Sequence, residues 1–150
     1  MWQTLFTVSN VIALIAWALL IFAPRRPLAL SAILYAGIGL LCLIYTALLA
    51  SMLAGWTDPS AARLSDYSVR GLRALFASDG AMVVGWTHYL ALDLFAGLWI
   101  ARDGDAKGIA RMVQVPILLT TLMVGPFGLL LWLIVREPAT RRSSMWSRAR

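Results

Sequence analysis

The segment 85-GWTHYLALDLFAGLWIARD-103 decides the fold class, because it is long and apolar enough to cross a lipid bilayer. It nevertheless contains the only histidine of the chain, His88, and an aspartate, Asp93, near its middle. An aspartate at the bilayer centre costs about 2.5–3.5 kcal/mol on insertion scales. A span that retains such groups is therefore expected to use them, either in helix packing or in function.

The rest of the chain has the same apolar character. Hydrophobic residues make up 61% of the 150 residues and charged residues only 13%, whereas about a quarter of a soluble domain is charged. This composition excludes a soluble core and predicts an integral membrane protein. Cys42 is the only cysteine, so an internal disulfide is excluded. No Cys/His cluster has metal-ligand spacing and no phosphate-binding loop is present, so neither a metal site nor a cofactor is predicted.

Four apolar runs have the length that a helix needs to cross a bilayer. They are residues 4–22, 28–54, 81–101 and 112–135. The period-2 alternation of barrel strands is absent, so helices are favoured. The prediction is an all-α, integral membrane four-helix bundle, in which residues 1–138 form a single four-span domain. The first run lacks the features of a cleaved signal peptide and is expected to be retained.

Two segments lie outside the predicted spans. Between spans two and three, 60-SAARLSDYSVRGLRALFASDG-80 mixes apolar residues with arginines, which is typical of an amphipathic helix on the membrane surface. A solvated loop is the alternative. Residues 139–150 form a basic tail that is predicted to be disordered.

The net charge of +6 comes mostly from arginines that flank the spans. This arrangement is typical of membrane orientation and of contact with anionic lipid, and it makes a nucleic-acid partner a poor alternative. Four crossings would place Arg136 on the side of both termini, and Lys107 on the other side. Eight basic residues against five then favour termini in the cytoplasm, whereas the short first hairpin, with two arginines and no acid, favours the opposite orientation. A multi-pass protein of the bacterial inner membrane is expected.

One face of the third span carries a stripe of distinctive side chains. At about 100° per residue, Trp86, Tyr89, Asp93 and Gly97 fall on this face. Gly97 would let another helix approach closely. Asp93 is interpreted as a proton donor or acceptor, and a structural hydrogen bond is the alternative.

His88 does not share this face. It lies about 140° from Asp93 around a regular helix, and it aligns with Trp99 instead. It is either a packing residue or part of a site. The candidate catalytic residues are Asp93, His88 and Tyr89. The candidate ligand-binding residues are Asn10, Trp17, Trp86, Gly97, Trp99 and Thr120.

Two longer stretches resemble a known family. The run 75-LFASDGAMVVGWTHYLALDLFAGLWIARD-103, followed by 116-PILLTTLMVGPFGLLLWLIVR-136, is similar to the family of the plant abscisic-acid-deficient-four protein. The first span agrees, with 2-WQTLFTVSNVIALIAWALLIFAP-24. The resemblance covers nearly all of the chain except the basic tail, and it implies a four-span integral membrane protein.

The resemblance also implies a type of chemistry. Plant members of this family are linked to neoxanthin synthesis, in which a carotenoid 5,6-epoxide becomes an allenic alcohol without net redox change. One group must protonate the epoxide oxygen, and another must take a proton from a carbon next to it in the ring. This is general acid–base catalysis in an apolar site that excludes water. A polyene would enter a groove between helices from the lipid.

Three functions remain open at this point. The first is an isomerase that acts on a carotenoid or another isoprenoid lipid. The second is a non-catalytic partner that binds a pigment or lipid and assists another membrane enzyme. The third is a small transporter, for which no inverted repeat is visible. Membrane lipid is the expected surrounding partner, and a homodimer that encloses the ligand is a further expectation.

Overall fold

The computed structural model describes residues 1–58, 66 and 68–148, with side chains described up to residue 137. Its described residues form helices and contain no strand, which confirms the all-α class. The helices are α1 (Trp2–Phe22), α2 (Pro27–Ala32), a π-helix (Ile33–Gly39), α3 (Leu40–Leu53), α4 (Val69–Leu75), α5 (Asp79–Ala106), α6 (Arg111–Met123) and α7 (Gly125–Arg148).

Three helical segments are long and apolar enough to cross a membrane. They are Trp2–Phe22, Pro27–Leu53 and Asp79–Ala106, and they correspond to the first three predicted spans. The second begins with Pro27 at the first helical position, where the missing N–H of proline removes no helical hydrogen bond. Its π-helical stretch continues directly into α3.

The predicted fourth span is not one helix, so the four-helix count is not confirmed. α6 ends at Met123, and α7 begins at Gly125 after an extended residue, Val124, with φ −145° and ψ 73°. Pro126 explains the break, because its ring cannot donate the helical hydrogen bond but fits the first turn of a new helix. α6 contains 13 residues and is therefore roughly 20 Å long, shorter than a hydrocarbon core of about 30 Å.

α7 returns to the end of α5 that precedes α6. The Trp132 indole N–H donates to the Asp103 carboxylate at 3.0 Å, and Arg136 Nε donates to the same carboxylate at 2.8 Å. Lys107 also forms an ion pair with Asp103. The four-span prediction placed Arg136 and Lys107 on opposite sides of the membrane. Because both side chains bind one carboxylate, the structure does not support that placement.

Part of the predicted amphipathic segment forms α4. Ser68 caps this helix, because its side chain accepts a hydrogen bond from the Gly71 N–H at 3.0 Å. Leu75 is buried, whereas Arg70 and Arg73 are exposed together with the apolar Leu72, so the exposed side of α4 mixes charged and apolar residues. Residues 59–65 and 67 lie outside the described residues. The position of the segment on a membrane surface stays a prediction.

Two compact units divide the chain. The first unit contains residues 1–15 and 35–92, and the second contains residues 16–34 and 93–150. In the first unit, a core cluster of Met52, Leu75, Ala81 and Val84 packs against side chains of α3.

The helical backbone of α7 continues through the predicted tail as far as Arg148. The prediction of one membrane domain over residues 1–138 stays a prediction.

Candidate functional site

An apolar cavity of about 210 Å³ lies in the first unit. Side chains from α3, the end of α4 and the first turns of α5 surround it. Its lining residues are Tyr45, Leu49, Met52, Leu75, Phe76, Ala81, Val84, Gly85 and His88. Among them, only the histidine and the tyrosine carry a side chain that transfers protons. An apolar pocket with few polar groups is the usual form of a small-molecule site.

His88 and Tyr45 lie side by side at this cavity. Their ring centroids are 5.3 Å apart and the ring planes are inclined by 46°. His88 comes from α5 and Tyr45 from α3, so packing between these two helices places them together. The sequence indicated His88 as a candidate, but only this packing reveals Tyr45 as its neighbour.

A glycine makes room for the aromatic wall of the cavity. A Cβ atom at Gly85 would lie 2.6 Å from Cε1 of Phe76, closer than carbon atoms pack in proteins. The Phe76 ring therefore packs directly against the α5 backbone, one turn before His88. The sequence alone does not indicate Gly85 or Phe76, because an apolar run gives no signal for such a contact.

Asp93 belongs to the second unit and lies against the break between α6 and α7. A Cβ atom at Gly125 would be 2.0 Å from Asp93 Oδ1, so only glycine fits at the first position of α7. The N-terminus of a helix carries partial positive charge that favours a carboxylate. The position of Asp93 thus has an electrostatic reason that is independent of catalysis.

α5 runs without interruption from Asp79 to Ala106. The offset of about 140° between His88 and Asp93 on a regular helix therefore applies. Tyr89 is half-buried, and its ring packs 5.5 Å from the ring of Trp86. The three candidate catalytic residues thus have different surroundings.

Two predicted ligand-binding residues hydrogen-bond each other in the first unit. The indole N–H of Trp86 donates to Asn10 Oδ1 at 3.2 Å, and Asn10 Nδ2 donates to the Phe6 carbonyl at 2.7 Å. The Phe6 ring also contacts Trp86, with centroids 5.7 Å apart. These contacts satisfy the amide of a polar residue inside an apolar helix.

The remaining predicted residues lie in the second unit. Trp17 is 2% exposed, and its ring fills the space over Gly97, where a Cβ atom would lie 2.3 Å from Cη2. The expected close approach at Gly97 is thus made by the Trp17 ring. Trp99 has the Arg136 guanidinium 5.2 Å from its ring centroid. Thr120 donates to the carbonyl of Pro116 at 2.8 Å, within its own helix.

A polar cluster near the end of α5 went unrecognised in the sequence. Arg25 donates to the Asp105 carboxylate at 2.6 Å and also to the side chain of Gln114, which is fully buried. Arg111 donates to two backbone carbonyls at the end of α1, each at 2.7 Å. These arginines therefore tie α1, α5 and α6 together, besides any effect on orientation.

No group of three His, Cys, Asp or Glu side chains within the described residues could hold a metal ion. Comparison with known proteins adds one positive finding. The family model described as ABA DEFICIENT 4-like matches residues 4–132. No curated protein and no solved structure matches the chain. Because the match covers most of the sequence, the chain belongs to the ABA4-like family, as the resemblance of residues 2–24, 75–103 and 116–136 predicted.

Proposed function

We propose that this protein is a multi-pass membrane isomerase that transfers protons within a carotenoid or a related isoprenoid lipid. The observation that supports the proposal is the apolar cavity lined by both His88 and Tyr45, whose ring centroids are 5.3 Å apart. Family membership suggests a neoxanthin synthase-like protein and supports the substrate class.

The size of the cavity supports one end of a long lipid as the ligand. Its volume is about 210 Å³, below the 300–1,000 Å³ that are usual for sites enclosing a drug-sized ligand. A terminal ring could occupy it, while the polyene chain remains in the bilayer. Phe76 and His88 are both exposed at the protein surface, which leaves the ring a route from the lipid.

Two proton-transferring side chains suffice for the reaction. The Tyr45 phenol donates its proton to the epoxide oxygen while the C–O bond breaks, and the His88 imidazole takes a proton from the adjacent carbon. A proton transfer from His88 to Tyr45 then restores both groups, so that no atom or electron is gained or lost. General acid–base catalysis of this kind contributes about 10²–10⁴-fold to a rate.

Asp93 and Tyr89 have other roles in this proposal. Asp93 stabilises the start of α7, since its carboxylate lies against Gly125 and the helix N-terminus attracts negative charge. Tyr89 supports Trp86 through their ring contact. The other predicted ligand-binding residues shape the surrounding helices through the contacts described above.

The test uses purified protein in liposomes that contain a carotenoid 5,6-epoxide, with products separated by chromatography. We expect His88→Gln and Tyr45→Phe each to lower the rate about 10²-fold or more, while the carotenoid still co-purifies. Tyr35→Phe is the matched control, because Tyr35 is on the same span but 73% exposed and does not line the cavity. An unchanged rate in His88→Gln would remove the histidine from the mechanism. Carotenoid binding without turnover in the wild type would favour the non-catalytic partner instead.

A further inference from the structure

The short helix α4 lies in the connection between two candidate membrane spans. The span before it ends at Leu53, and α5, the span after it, begins at Asp79. Only residues 76–78 separate α4 from α5, and a chain of that length reaches at most about 14 Å. α4 is therefore held near the level at which α5, as a span, meets the lipid headgroups.

The packing of Leu75 fixes how α4 is rotated about its axis. The Leu75 side chain is buried in the core cluster of the first unit. At about 100° per residue, Arg70 and Arg73 lie about 140° and 160° from Leu75 around the helix. Both arginines are exposed, and α4 contains no acidic residue. The side of α4 that points away from the core is therefore basic.

One flank of α4, between its buried side and its basic side, is apolar. Leu72, Phe76 and Val69 lie about 60°, 100° and 120° from Leu75, all in the same direction around the helix. They are 44%, 43% and 76% exposed, respectively. The other flank contains only a glycine and an alanine. An exposed apolar flank beside a row of arginines is typical of a helix that lies in the interface of a bilayer.

A phospholipid surface complements both exposed sides of α4. The guanidinium group binds phosphate oxygens through paired N–H groups, so Arg70 and Arg73 can contact the phosphates of any phospholipid. Acyl chains complement the apolar flank. The nearest exposed carboxylates in the sequence belong to Asp66 and Asp79. Both lie beyond the ends of α4, so they interrupt neither the basic side nor the apolar flank.

Phe76 connects the apolar flank with the cavity that contains His88. The Phe76 ring belongs to the flank and also lines that cavity. His88 itself is exposed at the protein surface. An apolar ligand that lies along Val69 and Leu72 therefore reaches the cavity over apolar side chains.

We propose that α4 lies in the headgroup region of a phospholipid bilayer, and that its apolar flank is the entry for the lipid ligand of the His88 cavity. Arg70 and Arg73 bind lipid phosphates, while Val69, Leu72 and Phe76 contact acyl chains. The position of α4 is independent of any chemistry at His88, whereas the entry role rests on the proposed function.

Spin labels measure the depth of α4 in the membrane. Leu72→Cys and Arg70→Cys are each labelled with a nitroxide in a Cys42→Ser background, and the full-length protein is placed in phosphatidylcholine vesicles. Collisions with oxygen, which concentrates among acyl chains, are compared with collisions with a water-soluble nickel chelate. We expect oxygen to dominate at Leu72→Cys, and the nickel chelate to dominate at Arg70→Cys, the matched control on the basic side.

Two results of this measurement would overturn the proposed position. Equal access of the nickel chelate to both labels would show that α4 is a solvated segment. Shielding of the Leu72→Cys label from both reagents would assign the apolar flank to a contact with protein, such as a second copy of the chain.

The entry role is tested by the rate at which a carotenoid 5,6-epoxide moves from donor vesicles into the protein, without any measurement of turnover. Leu72→Ser should slow this loading about threefold or more, because it removes apolar surface from the flank, and should leave the final amount bound unchanged. Ala74→Ser is the matched control, because it introduces the same hydroxyl group on the other flank.

Two outcomes of the loading experiment separate the entry role from the proposed function. An unchanged loading rate in Leu72→Ser would overturn the entry role while leaving the His88 chemistry intact. A wild-type protein that binds no carotenoid would overturn both the proposed function and the entry role. The position of α4 would then be decided by the spin labels alone.

Discussion

Individual glycines determine how closely side chains pack in this protein, and two of them border the candidate residues. Gly125 leaves space for the Asp93 carboxylate at the start of α7, and Gly85 leaves space for Phe76 at the wall of the cavity. In both places a methyl group would overlap an existing atom. These positions differ in what would have to move, so substitutions there should have different effects.

Gly125→Ala should destabilise the protein. The new methyl carbon would lie 2.0 Å from Asp93 Oδ1 and 2.5 Å from its Cγ, and overpacking of this kind costs about 1–3 kcal/mol. The measurement is the midpoint of unfolding in detergent. Adding Asp93→Ala should recover part of the loss, because it removes the overlapping atoms. Strictly additive effects of the two substitutions would contradict a direct contact.

Gly85→Ala should reduce ligand binding more than stability. The methyl group would displace the Phe76 ring, whose Cε1 lies 2.6 Å from the Cβ position, and an exposed ring at the end of a side chain can move at low cost. The ring would then narrow the cavity of about 210 Å³. The measurement is the amount of carotenoid that co-purifies with the variant. The double variant Gly85→Ala, Phe76→Leu should bind carotenoid again. Normal carotenoid binding by Gly85→Ala alone would exclude this cavity as the binding site.

At the scale of elements, turn and cap chemistry decides where helices begin. Pro27 and Pro126 both lie at helix starts, and Ser68 caps α4. The caps and prolines are visible in the sequence, but their consequences differ. Pro116 lies inside α6 without ending it, whereas Gly125-Pro126 separates two helices. The sequence pattern alone does not distinguish the two positions, since the outcome depends on what packs against the backbone groups that each proline leaves without a helical hydrogen bond.

Ser68→Ala should loosen α4. It removes the acceptor for the Gly71 N–H at 3.0 Å, and the loss of such a cap costs about 1 kcal/mol. Hydrogen exchange of the Gly71 and Leu72 amides should speed up, with α5 unaffected as an internal control. Faster exchange throughout the chain would instead indicate global destabilisation.

The stability of the Ser68 cap at the start of α4 should also depend on pH. Hydrogen bonds from Ser68 lower the pKa of Asp66 below its ordinary value of 3.8. A carboxyl with a lowered pKa stabilises the folded form at pH values above its unfolded pKa, and this stabilisation is lost as the pH falls through the lower, folded pKa. Protection of the α4 amides should therefore decrease below pH 3.8 and be constant above about pH 5. No such decrease should occur in Asp66→Asn.

At the scale of the whole molecule, the return of α7 changes the expected membrane topology. Trp132 and Arg136 both bind Asp103 near the end of α5, so we expect the segment 111–136 to enter and leave the membrane on one side. If the three candidate spans found among the described residues, α1, Pro27–Leu53 and α5, are the crossings, residues 108 and 137 should share a side, and residue 3 should lie on the opposite side.

Single cysteines test this topology in a Cys42→Ser background. Gln3→Cys, Gly108→Cys and Glu137→Cys are labelled in sealed vesicles with a maleimide that cannot cross the membrane. We expect Gly108→Cys and Glu137→Cys to be labelled from the same side of the membrane. Gln3→Cys should be labelled only from the opposite side. Labelling of Glu137→Cys and Gln3→Cys from the same side would instead support the four-span topology.

The sequence by itself determined the all-α class, the first three candidate spans and the family, because long apolar runs between charged residues have few stable alternatives in a bilayer. It also indicated His88, since a lone titratable group in an apolar helix is visible without a structure. Only the tertiary structure decided that Tyr45 lies beside His88, that Asp93 lies against Gly125, and that Arg136 returns to Asp103. These contacts join residues far apart in the chain, and an apolar helix can rotate about its axis with little change in its sequence pattern. The packing of small residues and partly buried ion pairs therefore selects the arrangement.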